Sequence, residues 1–267
     1  MSTSTPRTAD GGEFSSPSPP RDGLAGEHAE VVAAERAEVI AERLVSAVGA
    51  LESCLVAYSG GVDSAVVAKA AYLALGAKAL AVTGVSPSLA AGEAQAAARI
   101  ARSIGIAHRE IATDEMLRDE YLRNAPDRCF HCKSELYDRL GALADELGYA
   151  AVVNGANVDD LGDFRPGMQA AAQRRIASPL ADCGMDKAQV RRVAQFWDLE
   201  VWDKPATPCL SSRVAYGLSI TPERLARIDA AERLLREAGL PSVRVRHHEN
   251  ELARLEVDAS SLSRLCE

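Results

Sequence analysis

Leu55-Val56-Ala57-Tyr58-Ser59-Gly60-Gly61-Val62-Asp63-Ser64-Ala65-Val66-Val67-Ala68 is the stretch on which the fold turns. An apolar run enters it, two adjacent glycines interrupt it, and a run free of Gly and Pro leaves it. The pattern predicts strand, tight turn, then helix. Paired glycines let the backbone approach a ligand, and a new helix adds unpaired N–H groups with a positive dipole end. Such a nest suits phosphate. A Walker loop is excluded, because no Lys follows these glycines at the GxxxxGK[ST] spacing. A double glycine by itself is also satisfied by a plain connecting turn. The flanking strand and helix, with Asp63 and Ser64 in place, favour phosphate, and Gly61→Val is expected to be incompatible with the loop.

Outward from the loop, apolar segments alternate with helical ones. Residues 77–85 and 107–112 predict further strands, and 150–153 a fourth that runs into Asn154-Gly155-Ala156-Asn157-Val158-Asp159-Asp160. Helices are expected at 27–50, with Val39, Ile40, Leu44 and Val48 on one stripe, and at 89–104, 134–147 and 187–197. Thr113 is a candidate cap, Gly148 a stop, and Asp186 with Gln189 a capping box. Strand–helix alternation implies an α/β fold with a doubly wound parallel sheet, whose ligands bind at the carboxyl ends of strands. Residues 161–177, polar and carrying Arg165, Arg174 and Arg175, read as a mobile loop, and 200–202 as a short strand. Thr221-Pro222 opens a helix that Gly239 stops, and 243–247 and 252–257 alternate like paired strands. The domain plan is a disordered tail (1–26), a nucleotide-binding domain (27–205) and a smaller C-terminal α/β domain (206–267).

Composition narrows the class. The chain has 267 residues, 47% of them hydrophobic, and a formal net charge of −8. That charge argues against broad nucleic-acid binding. No apolar run approaches the roughly 20 residues that span a bilayer. The N-terminus lacks a secretory h-region, so a cytoplasmic location is expected. Six cysteines in such a chain do not suggest a disulfide framework. Cys54, Cys183 and Cys266 read as buried or incidental thiols.

The other three stand in richer contexts. Cys129-Phe130-His131-Cys132 places two thiols two residues apart, suited to one soft metal or one redox partner. No second CxxC or His pair completes a zinc site. Thr207-Pro208-Cys209-Leu210-Ser211-Ser212-Arg213 presents a thiol on a Pro-stiffened loop beside Ser and Arg. It reads equally as an anion site near sulfur or as a buried loop cysteine with a surface Arg. Arg244 and Arg246 share one strand side, and a solvated strand face explains them as simply.

Together these segments resemble one family. Ser-Gly-Gly-x-Asp-Ser is similar to the PP-loop of ATP pyrophosphatases of the adenine nucleotide alpha hydrolase type. With Arg128-Cys129-Phe130-His131-Cys132-Lys133, Asn154-Gly155-Ala156-Asn157, Trp202-Asp203-Lys204-Pro205, Cys209-Leu210-Ser211-Ser212-Arg213 and Arg244-Val245-Arg246-His247-His248, the chain resembles LarE-type sulfurtransferases over roughly 27–267. The resemblance implies ATP-dependent sulfur insertion. The carboxylates of pyridinium-3,5-biscarboxylic acid mononucleotide are adenylylated and converted to thiocarboxylates for the nickel-pincer cofactor of lactate racemase.

The resemblance also implies roles. Ala57, Ser59, Gly60, Gly61, Val62, Asp63, Ser64, Gly155 and Asn157 would hold ATP, with Mg²⁺ on the pyrophosphate. Asp63 either orients that ion or caps the helix. Cys129, Cys132 and Cys209 would be catalytic and carry a [4Fe-4S] cluster that passes on sulfide from an outside source. Other members instead sacrifice one cysteine's sulfur. Ser212, Arg213, Arg244 and Arg246 would hold the substrate phosphate. Glu232 would bind metal or substrate, or simply face solvent. A homo-oligomer is expected. The resemblance implies a further helix and strand past the last strand, whereas this sequence stops at Glu267: either the small domain is truncated or that last element is dispensable here. Rival readings are a tRNA-thiolating PP-loop enzyme, an ammonia-using amidotransferase, and a non-catalytic, nucleotide-regulated metal carrier. Pyrophosphate release with the pyridinium substrate separates them.

Overall fold

The computed structural model describes residues 37–162 and 166–265. The expectations for 1–26, for the start of the first helix, for Arg165 and for Cys266 lie outside them. Four strands form one parallel sheet in the order β3-β2-β1-β4: β1 Cys54–Ala57, β2 Ala79–Val85, β3 Ala107–Ala112 and β4 Ala151–Val153. Ala177 extends the β4 edge through a parallel bridge to Val153.

Alternation along the strands decides the two layers. Cys54, Val56, Ala79 and Ala81 face one core, and Leu55, Leu80 and Val82 the other. The first core is closed by residues 37–49 (α1), Val62–Leu75 (α2), Glu93–Ile104 (α3) and Lys187–Phe196 (α8). The second is closed by Arg128–Leu147 (α5) and Pro166–Gln173 (α6). Short helices Asp119–Leu122 (α4) and Pro179–Asp182 (α7) complete this part. Fully buried Leu44 and Leu55 each contribute about 1.5–3 kcal/mol of apolar transfer. The layout is the expected doubly wound α/β sheet.

Pro222–Glu237 (α9) packs on an antiparallel pair, β5 Val243–His247 and β6 Ala253–Val257. Thr221 caps α9 by accepting from the Arg224 N–H at 3.3 Å, and Pro222 takes the first turn. The Asp186–Gln189 capping box of α8 is present in both directions. Beyond β6, residues Ala259–Ser261 and Ser263–Leu265 form two short 3-10 turns.

Several local expectations are corrected. Val39 is exposed, and Ala37, Ile40, Ala41, Leu44 and Val48 form the buried stripe of α1. Residues 76–78 make a 3-10 turn before β2, and α3 starts at Glu93 after left-handed Gly92. Thr113 caps nothing: the 3-10 turn Glu115–Leu117 follows, flanked by Asp114 with no side-chain cap. Helix α5 begins at Arg128, six residues earlier than read, so both CxxC cysteines lie in its first turns. Segment 161–177 contains α6, whose Ala170 and Ala171 are buried against α5. Residues 200–202 form turns rather than a strand. Among the described residues no helix is long and apolar enough to cross a membrane.

Candidate functional site: a phosphate cradle beside three thiols

The loop between β1 and α2 is held shut by its own hydroxyls. Ser64 Oγ donates to Gly61 O at 3.0 Å, Ser59 N–H donates to Ser64 Oγ at 3.2 Å, and Gly61 N–H donates to Ser59 Oγ at 3.3 Å. No side chain caps α2, which leaves its first-turn N–H groups for an anion. Gly60 has φ +71°, and a Cβ there would stand 2.9 Å from Ala97 Cα. At Gly61 a Cβ would meet only Ser59 Oγ at 3.4 Å. The crowding expected at Gly61 therefore belongs to Gly60. Gly155 is as tight: a Cβ would lie 2.8 Å from Ser64 N, so the loop after β4 packs backbone to backbone on α2.

Asp63 does not cap its helix, since Gly61 is the N-cap residue. Its carboxylate accepts from Asn157 Nδ2 at 3.1 Å and pairs with the Lys187 ammonium. Asn157 in turn closes a capping box with Asp160. Lys187 opens α8, and its N–H donates to Asp159 at 3.0 Å. Reading the sequence did not single out Lys187, because nothing local ties it to a glycine loop over a hundred residues earlier.

Cys129 and Cys132, one helical turn apart, share a face of α5. Cys209 precedes the 3-10 turn Leu210–Arg213. Cys129 and Cys209 are exposed. Cys132 packs against the cluster of Tyr121, Leu210 and Ile228, and burial pushes its thiol up to about 12. Lys133 opposes that shift, whereas Glu115, Cys209 and Cys129 add to it. The Lys133 ammonium lies 5.9 Å from the Tyr137 ring centre, and it feels all three thiols. Cys54 is fully buried in β1, as expected of an inert thiol. Among the described residues, no group of three or more His, Cys, Asp or Glu is poised around a single metal ion. A four-iron cube spreads its ligands over a wider span than one ion does, and soft thiolates are its usual donors. The trio fits such a cluster in donor chemistry.

The loop that carries Cys209 is gripped by arginines from three segments. Arg213, 3% exposed, donates to the carbonyls of Pro208 and Cys209 and forms a two-pronged pair with Glu232 (2.9 and 3.3 Å). Glu232 is fully buried, contrary to a solvated helix position, and accepts also from Arg236 at 2.7 Å and from the Val245 N–H at 3.0 Å. Ser212 Oγ donates back to Cys209 O at 2.7 Å. Arg246 donates to Ser212 O at 3.0 Å and to Glu256 at 2.7 Å, and that contact holds the Glu256 carboxyl down at about 2. Arg244 is half-buried with no ion pair among the described residues. Arg128 donates to Ser211 O at 2.9 Å.

A parallel sheet with this glycine cradle at the carboxyl end of its central strand defines a PP-loop nucleotide-binding protein. Residues 33–129 match the NAD synthase family model. An uncharacterized protein of Synechocystis is 51% identical over 216 residues, covering 81% of this chain and 80% of that protein. The pyridinium-3,5-bisthiocarboxylic acid mononucleotide synthase of Lactiplantibacillus plantarum is 36% identical over 215 residues, covering 80% and 78%. An uncharacterized protein of Methanocaldococcus jannaschii is 33% identical over 140 residues, covering 52% and 54%. The chain belongs to the LarE-type PP-loop sulfurtransferase family.

Proposed function

We propose that this protein is an ATP-dependent sulfur insertase acting on the carboxylates of pyridinium-3,5-biscarboxylic acid mononucleotide. The observation that carries the reading is the pairing of an open PP-loop with a CxxC helix turn that Arg128 bonds to the Cys209 loop, in a chain related to a bisthiocarboxylate synthase.

In this reading Ser59, Gly60, Gly61, Val62 and Ser64 hold the ATP phosphates through loop and helix N–H groups, with Ala57, Gly155 and Asn157 forming the cradle walls. A substrate carboxylate oxygen attacks the α-phosphorus. The new O–P bond forms as the bond to pyrophosphate breaks, and the N–H groups stabilise the departing charge. Mg²⁺ arriving with ATP would compete with Lys187 for Asp63, freeing the ammonium for a phosphate oxygen. Sulfur then displaces AMP from the acyl-adenylate, leaving a thiocarboxylate. A [4Fe-4S] cluster on Cys129, Cys132 and Cys209 would supply that sulfur from external sulfide. Arg244, half-buried and without an ion pair among the described residues, is the cation readiest to receive the substrate phosphate. Ser212, Arg213 and Arg246 reach it only by exchanging present partners, and Glu232 acts by anchoring Arg213.

The test is anaerobic reconstitution. Wild-type protein is expected to take up about four irons per chain and turn over repeatedly with sulfide. Serine at Cys129, Cys132 or Cys209 should remove most of the iron, and serine at Cys54 or Cys183 should not. A loss of about 34 Da at Cys209 after one turnover, with no iron requirement, would establish the sacrificial route instead.

A further inference from the structure

The first turn of α5 and the loop bearing Cys209 are far apart in sequence, yet a buried polar network stitches them together. Arg128 opens α5 and is 5% exposed. Its Nη1 donates to Ser211 O, 83 positions away, at 2.9 Å, and also to Asn124 Oδ1. Asn124 is fully buried with φ +54°. Its amide hydrogens are shared among the carbonyls of Val214 (3.3 Å), Ala215 (2.9 Å) and Leu218 (3.0 Å). Tyr121 Oη meets Ser211 Oγ at 2.6 Å. The backbone joins in, as Ile220 N–H donates to Leu122 O at 2.9 Å.

Two features set this network apart from ordinary packing. The Arg128 guanidinium is buried, but among the described residues it has no carboxylate partner. Its neighbours are two neutral oxygens and the Tyr216 ring, 5.8 Å from its centre. Burying a cation on neutral acceptors alone is costly, and an apolar side chain would serve bulk stability better. The position is also telling. Arg128 adjoins Cys129, and its acceptor Ser211 lies two residues from Cys209. Its hydrogen bond therefore fixes one thiol-bearing segment directly against the other.

We propose that Arg128, with Asn124 and Tyr121, positions Cys209 relative to Cys129 and Cys132. The inference rests on the three-thiol reading above and deepens it. Helix geometry already fixes the first two thiols relative to each other. Nothing in the local sequence fixes the third, and a shared ligand needs its donors held within roughly 0.5 Å. Arg213 and Arg246 orient the Cys209 loop within the C-terminal segment; Arg128 ties that loop to α5. A charge-assisted bond is the stronger tie for this purpose.

The experiment compares R128M, R128K and Y121F with wild type, as full-length iron-free protein and after anaerobic reconstitution. Amide hydrogen exchange of residues 207–218 is the readout that does not depend on activity. In R128M these amides should exchange about tenfold faster or more, the loss of one hydrogen bond to a charged group, while β1 and α2 keep their protection. Iron uptake should fall in parallel, and kcat should drop with the KM for ATP within about twofold of wild type. R128K should recover part of each effect, since an ammonium keeps the charge but reaches fewer acceptors. Y121F should show the smallest change.

Wild-type exchange at 207–218 together with wild-type iron in R128M would overturn the proposal. So would a loss of protection spread evenly over the whole chain, which marks a bulk stabilising role. Should R128M fail to fold, wild-type exchange at 207–218 in both R128K and Y121F is the overturning result. If wild-type protein takes up no iron, the three-thiol reading falls, and the exchange measurement alone still decides whether Arg128 sets the loop.

Discussion

The phosphate cradle and the Cys209 loop lie in one protein but are built by opposite means. The cradle is a continuous run from Ser59 to Ser64, closed by hydroxyl-to-backbone bonds within six residues. The Cys209 loop closes on itself through one hydroxyl, Ser212, a 3-10 turn and its own Arg213, and otherwise leans on distant side chains. Its carbonyls at 208, 209, 211 and 212 are held by Arg213, Arg128 and Arg246, and Arg213 is itself anchored by Glu232. Backbone geometry makes the first region, and charged side chains anchored at a distance brace the second. A local cradle should fail through sterics, at the glycines where a side chain meets backbone. A charge-held loop should fail through unpaired buried charge and take stability with it.

The largest effect is expected at Glu232. E232Q leaves the Arg213 guanidinium buried without its counter-charge, which should cost about 3–5 kcal/mol in urea unfolding. Replacing both partners by apolar residues (R213M with E232L) should recover much of that loss. If E232Q alone leaves the unfolding midpoint unchanged, charge does not hold this loop.

Next comes the cradle. G60V should lower substrate-dependent pyrophosphate release by at least ~100-fold, because the side chain meets Ala97 backbone and distorts the donors. G61A should keep most activity and unfold near the wild-type midpoint, whereas G60V should lower the midpoint as well, because a β-branched residue at φ +71° is strained and meets the Ala97 backbone. Equal losses at the two glycines would remove the steric distinction drawn between them.

A smaller change is expected at the edge of the cradle, where Lys187 pairs with Asp63. K187M should raise the KM for ATP by roughly tenfold while leaving iron uptake alone. An unchanged KM would leave Lys187 as a partner of Asp63 and nothing more.

The smallest effect concerns acid. The Arg246 contact lowers the folded Glu256 carboxyl from 4.5 to about 2. Its contribution is therefore complete above pH 4.5 and lost as the pH falls through that window. About a third of each side chain is exposed, so solvent screening limits the contribution to about 1 kcal/mol or less. E256Q should flatten this part of the acid limb in chemical unfolding between pH 4.5 and 2. An acid limb as steep as wild type would place the charge dependence of β5 elsewhere.

The amino-acid sequence by itself determined what depends on near neighbours. The run from Leu55 to Ala68 carries its own strand, turn and helix, and the apolar segments with their caps at Asp186 and Thr221 carry the parallel sheet and α9. Period, glycine placement and capping act within a few residues, which is why they can be read in order. Tertiary structure alone decided the partners of the charged groups. It turned Glu232 from a solvent-facing candidate into a buried anchor, gave Asp63 its Lys187, and moved the tight glycine from 61 to 60. It extended α5 back across the CxxC motif, where Arg128 in its first turn and Asn124 just before it reach the distant Cys209 loop and the residues after it. An ammonium or guanidinium at the end of a long side chain can meet any segment the fold brings near. Its sequence neighbours do not record which one, because the energy of the pair depends on burial and distance set by the whole chain.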